Sequence, residues 1–405
     1  MKIYEELKFR GITAQVTNEE KIENIINNKK ITFYVGCDPT ADSLHVGHLV
    51  QLFLVSRLQK NGHTPICLFG GGTGFIGDPS GKNSMRKLMP KEQIEYNVEC
   101  FKKQMSKFLD VSNIIFVNNA DWLCDLNYIN FLRDIGTCFS VNKMLAAECY
   151  KQRLQEGLTF FELNYMIMQA YDFLHLNKKY NCILQIGGND QWSNMIAGVE
   201  LLRKKNNTEV FALTTNLLTK SDGKKMGKTE NGAIWLDPEK TSPYDFYQYW
   251  RNIQDTDVIK CVKVLTDIDV NEIIKQFENL KGQELNEVKK ILAYNLTKKI
   301  HGEIEADKCK NSAEKIFASG DFSSDIPTKY VNLEKFKEDK IKIIDLIFEA
   351  KVTSSKSEAR RLVEQNGISI NNKTADLNFC INKNNLENGI ILKKGKKNYF
   401  KILKA

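Results

Sequence analysis

Up to about residue 235, short apolar runs rich in strand-forming residues alternate with stretches of helical period. Ile31 to Gly36, Pro65 to Phe69, Ile114 to Val117 and Cys182 to Ile186 are four such runs, and their alternation with helices predicts an α/β fold built on a doubly wound parallel sheet. The first run leads into a helix from about Val46 to Lys60, stopped by Asn61-Gly62. A second block opens at Thr241-Ser242-Pro243, a capping residue with proline at the first helical position, and keeps helical spacing to about Phe317. A linker rich in Ser, Asp and Pro, from Ser319 to Pro327, precedes a third block. There Ile343-Ile344-x-Leu346-Ile347 and Ser354 to Leu362 have helical spacing, and Gly367 to Lys373 reads as strand and turn. The expected division is an α/β domain over 1–235, an all-helical domain over 236–320 and a small α+β domain over 328–405.

Charge changes this picture at one end only. The formal net charge of the 405-residue chain is +8. From Lys340 to Ala405 there are 14 Lys and Arg against 6 Asp and Glu, so the whole excess lies in the last block. A basic terminal domain on a neutral body fits phosphate-backbone binding; a solubilising lysine-rich tail is the alternative. No apolar run reaches the ~18 residues of a membrane span. The N-terminus reads as neither a signal nor a transit peptide. Ten cysteines stand singly with no CxxC pair, which argues against a zinc ribbon or a disulfide framework and for a reducing cytoplasm.

Candidate chemistry gathers at the ends of the apolar runs. Tyr34-x-Gly36-x-Asp38-Pro39-Thr40 is a strand end turning over, and His45-Val46-Gly47-His48 begins the helix beyond it. Such a turn sets backbone N–H groups and a helix's positive pole beside an anion, with two imidazoles in reach of phosphate oxygens. Gly47 suits a spot where a flat base must lie against bare backbone. The stretch Gly72-x-Gly74-x-x-Gly77 formally matches a dinucleotide fingerprint, but Asp78-Pro79 follows where a helix should open. It also fails the P-loop spacing, with Ile76 at the first glycine position and Asn83 after Lys82. It reads instead as a loop presenting Asp78 to a substrate amine, with Lys82 and Arg86 reaching leaving phosphates.

A helix from Phe161 to Leu176 sets Tyr165, Gln169 and Asp172 on one face by their spacing of four and three. This polar triplet is either a solvated face or the wall of a polar pocket. The next strand ends in Gln185-x-Gly187-Gly188-x-Asp190-Gln191, a glycine turn where open α/β sheets bind ligands, and that favours the pocket. Far downstream, Lys225-Met226-Gly227-Lys228-Thr229 follows the turn-forming Thr219-Lys220-Ser221-Asp222-Gly223, as in a loop that closes on a nucleotide.

In this order, the motifs from Tyr34 to His48, Gly77 to Lys82, Tyr165 to Asp172, Gly187 to Gln191 and Lys225 to Thr229 resemble the HIGH and KMSKS signatures and the intervening residues of bacterial tyrosyl-tRNA synthetases, in class I. The resemblance covers nearly the whole chain. It implies a Rossmann-like catalytic domain, a helical anticodon-binding domain and a small RNA-binding domain. It implies that Tyr34 and Asp172 hold the phenolic hydroxyl of L-tyrosine, and that Asp78, Tyr165 and Gln169 hold its ammonium, with Gln185 beside them. Gly36, Asp38, Thr40, His45, Gly47, His48, Gly187, Asp190, Gln191 and Lys228 would line the ATP site. Lys82, Arg86, Lys225, Lys228 and Thr229 would act on the departing pyrophosphate, and Arg360, Arg361, Lys393, Lys394, Lys396 and Lys397 on RNA phosphates. ATP would arrive with Mg2+ and need no dedicated protein metal site.

The implied partners are L-tyrosine, ATP, tRNA(Tyr) and a second copy of the chain, with no membrane; an insertion near 125–160 would form the subunit contact. Gly227 and Thr229 stand where the KMSKS consensus has serine, and Gln51 has no assigned role. Two other readings are a tryptophan ligase of the same class, opposed by Tyr34 with Asp172, and a non-catalytic RNA-binding descendant, opposed by the intact His45, His48, Lys225 and Lys228.

Overall fold

The computed structural model describes residues 1–80, 82, 84, 89–229, 232–318, 328–336, 339–371, 373–387, 389–395 and 398–405, with backbone alone at 152, 228, 229, 315–318, 335 and 398. The chain divides into two compact units, the first made of 1–228, 233–237 and 253–292 and the second of 229–232, 238–252 and 293–405.

The first unit is built on a six-stranded sheet of β1 (Thr13–Val16), β2 (Thr32–Cys37), β3 (Thr64–Phe69), β4 (Ile115–Asn118), β5 (Cys182–Gly188) and β6 (Phe211–Thr215). Their order is β1-β6-β5-β2-β3-β4, parallel except for β1 against β6. From β2 the chain steps outward through β3 to β4, then returns to the other side for β5 and β6. The strand order thus reverses between β2 and β5, and a crevice opens at their carboxyl ends. The expected parallel sheet is present, with each of the four expected strands within two residues of its predicted ends. The antiparallel edge strand β1 is not among the expected strands: its sequence, Thr-Ala-Gln-Val, is too polar and too short to read as an apolar run.

Helix α1 (Leu49–Lys60) follows β2 and is buried on nearly all sides. Helix α2 (Phe160–Tyr180) runs longer than the expected 161–176. Its start is fixed by Thr159 and Glu162, each accepting from the other's backbone, and Glu162 is further held by Arg153. Its end is set by Asn181, in the left-handed conformation at φ 52°. Helix α3 (Trp192–Asn206) packs along α2.

Helix α4 (Asp255–Leu265) is tied to this body by two buried arginines. Arg10 donates to the carbonyls of Lys263 (2.8 Å) and Ile268 (2.7 Å), and Arg57, from α1, donates to those of Val264 and Thr266. Two cations thus cap the electronegative end of one helix.

In the second unit a helix over Pro243–Arg251 starts where the sequence predicts, with Ser242 accepting from the Asp245 N–H. Toward the C-terminus, strands over Thr328–Val331, Ile368–Ile370, Lys373–Thr374, Ile390–Lys394 and Asn398–Lys404 form a five-stranded sheet. Helices over Ile343–Glu349 and Lys356–Glu364 supply Leu346, Ile347, Ala359 and Val363 to one core with Ile368, Leu392 and Ile402.

Candidate active site

Tyr34 on β2 is level with Gln185 on β5, so both side chains leave the same face of the sheet beside the reversal. Both are buried, and the Tyr34 hydroxyl and the Gln185 Oε1 have no hydrogen-bond partner among the described residues. The Gln169 Oε1, on α2, is a third such atom. Buried polar atoms are nearly always paired, so three orphans lining one crevice mark where a ligand's polar groups complete the set.

Asp172, one turn further along α2, is buried near Tyr34 and Tyr165. It is 2% exposed and accepts from the Asn119 Nδ2 at 2.9 Å and the Trp122 Nε1 at 2.8 Å. Burial pushes its carboxyl up to about 8; the two donors pull the other way, and the charge of Asp38 adds to the rise. Burial and the charge of Asp172 together hold the Tyr34 proton firmly on its oxygen.

Tyr165 donates to Asp38 Oδ2 (2.9 Å), and the Thr73 hydroxyl donates to Oδ1 of the same carboxylate (2.9 Å). Gln191 donates through Nε2 to Asp78 Oδ2 (2.6 Å), while Asp78 Oδ1 accepts the Ser80 N–H. Burial, then Asp38, Asp78 and Asp172 in turn, raise the Tyr165 hydroxyl well above its ordinary value. Two carboxylates, Asp38 and Asp78, therefore bear on one spot, joined by Asp172 once it ionises, a field that suits a bound ammonium. Gly70 is needed here, because a Cβ would stand 2.0 Å from Asp38 Oδ1.

Above this pocket, His45 ends the turn after β2 and caps a short 3₁₀ turn over Val46–His48. Its Nδ1 accepts the Gly47 N–H at 3.0 Å, so the proton of the neutral ring sits on Nε2 as a donor. The two imidazoles lie 4.1 Å apart, centroid to centroid. Burial, reinforced by His45, lowers His48 to about 3 and keeps it neutral. A side chain at position 47 would collide with the His45 ring at 2.7 Å, which leaves bare backbone at the turn. Gln51, on α1, shares a small cavity with His48 and brings its amide near Gly188.

The lysine loop meets this turn through one strand of chain. Ile234 donates its N–H to the Gly227 carbonyl (2.8 Å) and accepts the Val46 N–H on its own (3.0 Å). Gly227 has φ +78°, and a Cβ there would lie 2.8 Å from the Val46 Cβ. Glycine in place of the consensus serine is therefore what this close approach requires. Met226 anchors the loop against Cys261 of α4, and Lys260 and Thr256 of α4 bond Thr219 and Ser221.

Residues 26–318 match the family described as tRNA synthetases class I (W and Y), and residues 321–402 the family described as tyrosine–tRNA ligase SYY-like C-terminal domain. A tyrosine–tRNA ligase of Fusobacterium nucleatum is 55% identical over 99% of this chain and 98% of its own length. One from Clostridium botulinum is 52% identical over 100% and 99%. The chain belongs to the tyrosyl-tRNA synthetase family. The fold agrees: a C-terminally truncated mitochondrial tyrosyl-tRNA synthetase of Aspergillus nidulans superposes with a TM-score of 0.71 at 27% identity, over 78% of this chain and 94% of that one.

The structure places several of the residues expected from the sequence close together: Asp172 acts on Tyr34, Asp38, Asp78 and Asp172 all act on Tyr165, and Gln185 is level with Tyr34. Gln169 lies one turn before Asp172 on α2 and Asp78 bonds Gln191, while Gly36 and Gly187 sit in the last residues of their strands and Thr40, His45, Gly47, His48, Asp190 and Gln191 on the turns beyond. Asp38, expected on the ATP side, bonds to Tyr165. Lys82 and Lys225 are exposed; Lys228 and Thr229 are described as backbone only, and Arg86 lies outside the described residues. In the last domain Arg360 and Arg361 are exposed, whereas Lys394 bonds Glu358 and the Val352 carbonyl (both 2.9 Å); Lys396 and Lys397 lie outside the described residues.

Sequence reading missed Asn119, Trp122 and Thr73, which hold Asp172 and Asp38. The available signal was Asn118-Asn119 at the carboxyl end of a predicted strand, the place where such sheets bind ligands.

Proposed function

We propose that this chain activates L-tyrosine with ATP and then transfers it to the 3'-terminal adenosine of tRNA(Tyr). In the first step the tyrosine carboxylate attacks the α-phosphorus of ATP, the bond to the β-phosphate oxygen breaks, and pyrophosphate leaves. The carboxylate is already ionised, so no general base is required, and catalysis is positioning plus stabilisation of growing phosphate charge. His45, His48, Thr40 and the backbone at Gly47 hold the phosphates and adenine, with Gly36, Gly187, Asp190 and Gln191 around the ribose. Lys82, Arg86, Lys225, Lys228 and Thr229 hold the departing pyrophosphate, and ATP brings its own Mg2+. In the second step a ribose hydroxyl of the tRNA attacks the mixed anhydride and AMP leaves.

The observation that carries the amino-acid assignment is Asp172 beside the orphaned Tyr34 hydroxyl, at the base of the crevice. A phenol bonds to that pair, and phenylalanine leaves the Tyr34 hydroxyl without a partner and Asp172 with only its Asn119 and Trp122 donors. A site built to bond a substrate hydroxyl rejects the analogue lacking it far more strongly than an apolar pocket rejects a missing methylene, and this family is the standard example of that rule. The acid-rich surroundings of Tyr165 support Asp78, Tyr165 and Gln169 as the ammonium site.

The working assembly is a homodimer in the cytoplasm. Tyr128, Ile129, Val141, Leu154, Phe160 and Phe161, exposed on or beside the short helices of the insertion near 125–160, support a subunit contact there. Among the described residues, no helix is long and apolar enough to cross a membrane. The helical domain reads the anticodon arm, and the C-terminal domain holds RNA phosphates through Arg360, Arg361, Lys393, Lys396 and Lys397.

ATP–pyrophosphate exchange run separately with each of the twenty amino acids tests the reading. Exchange with tyrosine alone is expected. Exchange with tryptophan would overturn the roles of Tyr34 and Asp172, and no exchange with any amino acid would overturn the catalytic reading.

A further inference from the structure

Trp122 sits on a four-residue helix, Ala120–Leu123, just beyond β4. So short an element cannot by itself fix the direction of an indole ring, yet the Trp122 N–H must point at Asp172. The ring is gripped instead by α2. Asp172 takes its N–H at the edge, and His175, three residues on and so on the same helix face, lies flat against it. The imidazole and indole centroids are 4.2 Å apart with the planes 11° from parallel.

His175 has no polar reason to be there. Its Nε2 is buried without a hydrogen-bond partner among the described residues. Burial, with Lys178 and Lys179 nearby, lowers its basicity and favours the neutral ring. What the side chain supplies is a flat aromatic face.

We propose that His175 is a positioning residue for tyrosine recognition, acting through the Trp122 indole to hold Asp172 in place. The inference rests on the reading of Asp172 as the acceptor for the substrate phenol. Asn119 and Trp122 are the two side-chain donors to Asp172 among the described residues. If the indole turns, one donor is lost and the carboxylate leaves its aim at the phenol. The ammonium site at Tyr165 and the ATP turn are untouched by that change.

The test is the ratio of kcat/KM for tyrosine to kcat/KM for phenylalanine, measured by pyrophosphate exchange on the full chain. This ratio does not depend on how much of the enzyme is active, so a loss of folded protein cannot move it. His175→Ala should lower the ratio about threefold to tenfold, the range set by loss of one aromatic stack, with the change in the KM for tyrosine and none in the KM for ATP. His175→Phe, which keeps the flat face, should restore most of it. An unchanged ratio in His175→Ala, or no recovery in His175→Phe, overturns the proposal. Asp172→Asn is measured beside them: if it lowers the ratio while His175→Ala does not, only the role of His175 fails. If Asp172→Asn leaves the ratio unchanged, the pocket reading itself fails.

Discussion

At the floor of the crevice Tyr34, Tyr165, Asp172 and Gln185 are buried, and most of their neighbours are already bonded to one another, whereas the lysine loop keeps Ser221 to Lys225 in solvent. Asp38, Asp78 and Asp172 are each held by neutral donors from other parts of the chain: Tyr165 and Thr73, Gln191, and Asn119 and Trp122. The loop is secured at its ends, by Thr219 and Ser221 on α4 and by Gly227 against the histidine turn. The difference matches the two tasks. Telling a phenol from a phenyl ring needs acceptors fixed before the ligand arrives, because their value lies in the penalty for leaving them unpaired. Holding a leaving pyrophosphate needs cations that move in with it and let it go.

The largest expected effect comes from breaking the fixed side. Asp172→Ala should lower kcat/KM for tyrosine by roughly 10²-fold or more in pyrophosphate exchange, because a buried acceptor for the phenol is gone. Binding of tRNA, measured by filter retention, should be unchanged; an unchanged activation rate would remove Asp172 from the site. On the loop side, Lys228→Ala should slow adenylate formation by roughly 10²-fold, read by single-turnover quench, while tyrosine affinity stays put. A fall in tRNA affinity alone would mean that the loop does not serve the chemistry.

Gly227→Ala should cost about 1–2 kcal/mol in the loop packed on Val46, since the left-handed backbone and the Val46 contact both oppose a side chain. That appears as a several-fold rise in the KM for ATP without a change for tyrosine.

The smallest effect is one of pH. With its carboxyl pushed up to about 8, Asp172 keeps its proton below that value and loses it above. The ionised form is the better acceptor for a phenol, so tyrosine affinity should rise severalfold between pH 6 and pH 8, about one pKa unit being a factor of ten. The raised carboxyl also makes folded-state stability fall as pH rises from the ordinary carboxylate range through 8, since the unfolded chain gives up that proton sooner. Asp172→Asn should flatten both trends.

How far the sequence foretold this depends on whether the signal was local. The histidine turn, the face shared by Tyr165, Gln169 and Asp172, and the glycine turn before Asp190 are each written in a few consecutive positions or one helical period. The supports are not. Asn119 and Trp122 reach Asp172 across about 50 residues of chain from a short strand and a one-turn helix, and no periodicity announces that meeting. Asp38 reads as part of the phosphate turn until the Tyr165 hydroxyl is seen on it. Arg10 and Arg57 cap α4 from more than 200 residues away. Lys394, counted among the phosphate contacts, is tied to Glu358 by a pairing that only the folded sheet brings together.

The claim that the amino-acid side is finished before ATP arrives is tested most directly by calorimetric titration of the nucleotide-free protein with tyrosine and with phenylalanine. The account predicts measurable binding of tyrosine and none of phenylalanine under the same conditions. Equal binding of the two, with discrimination appearing only once ATP is added, would contradict it.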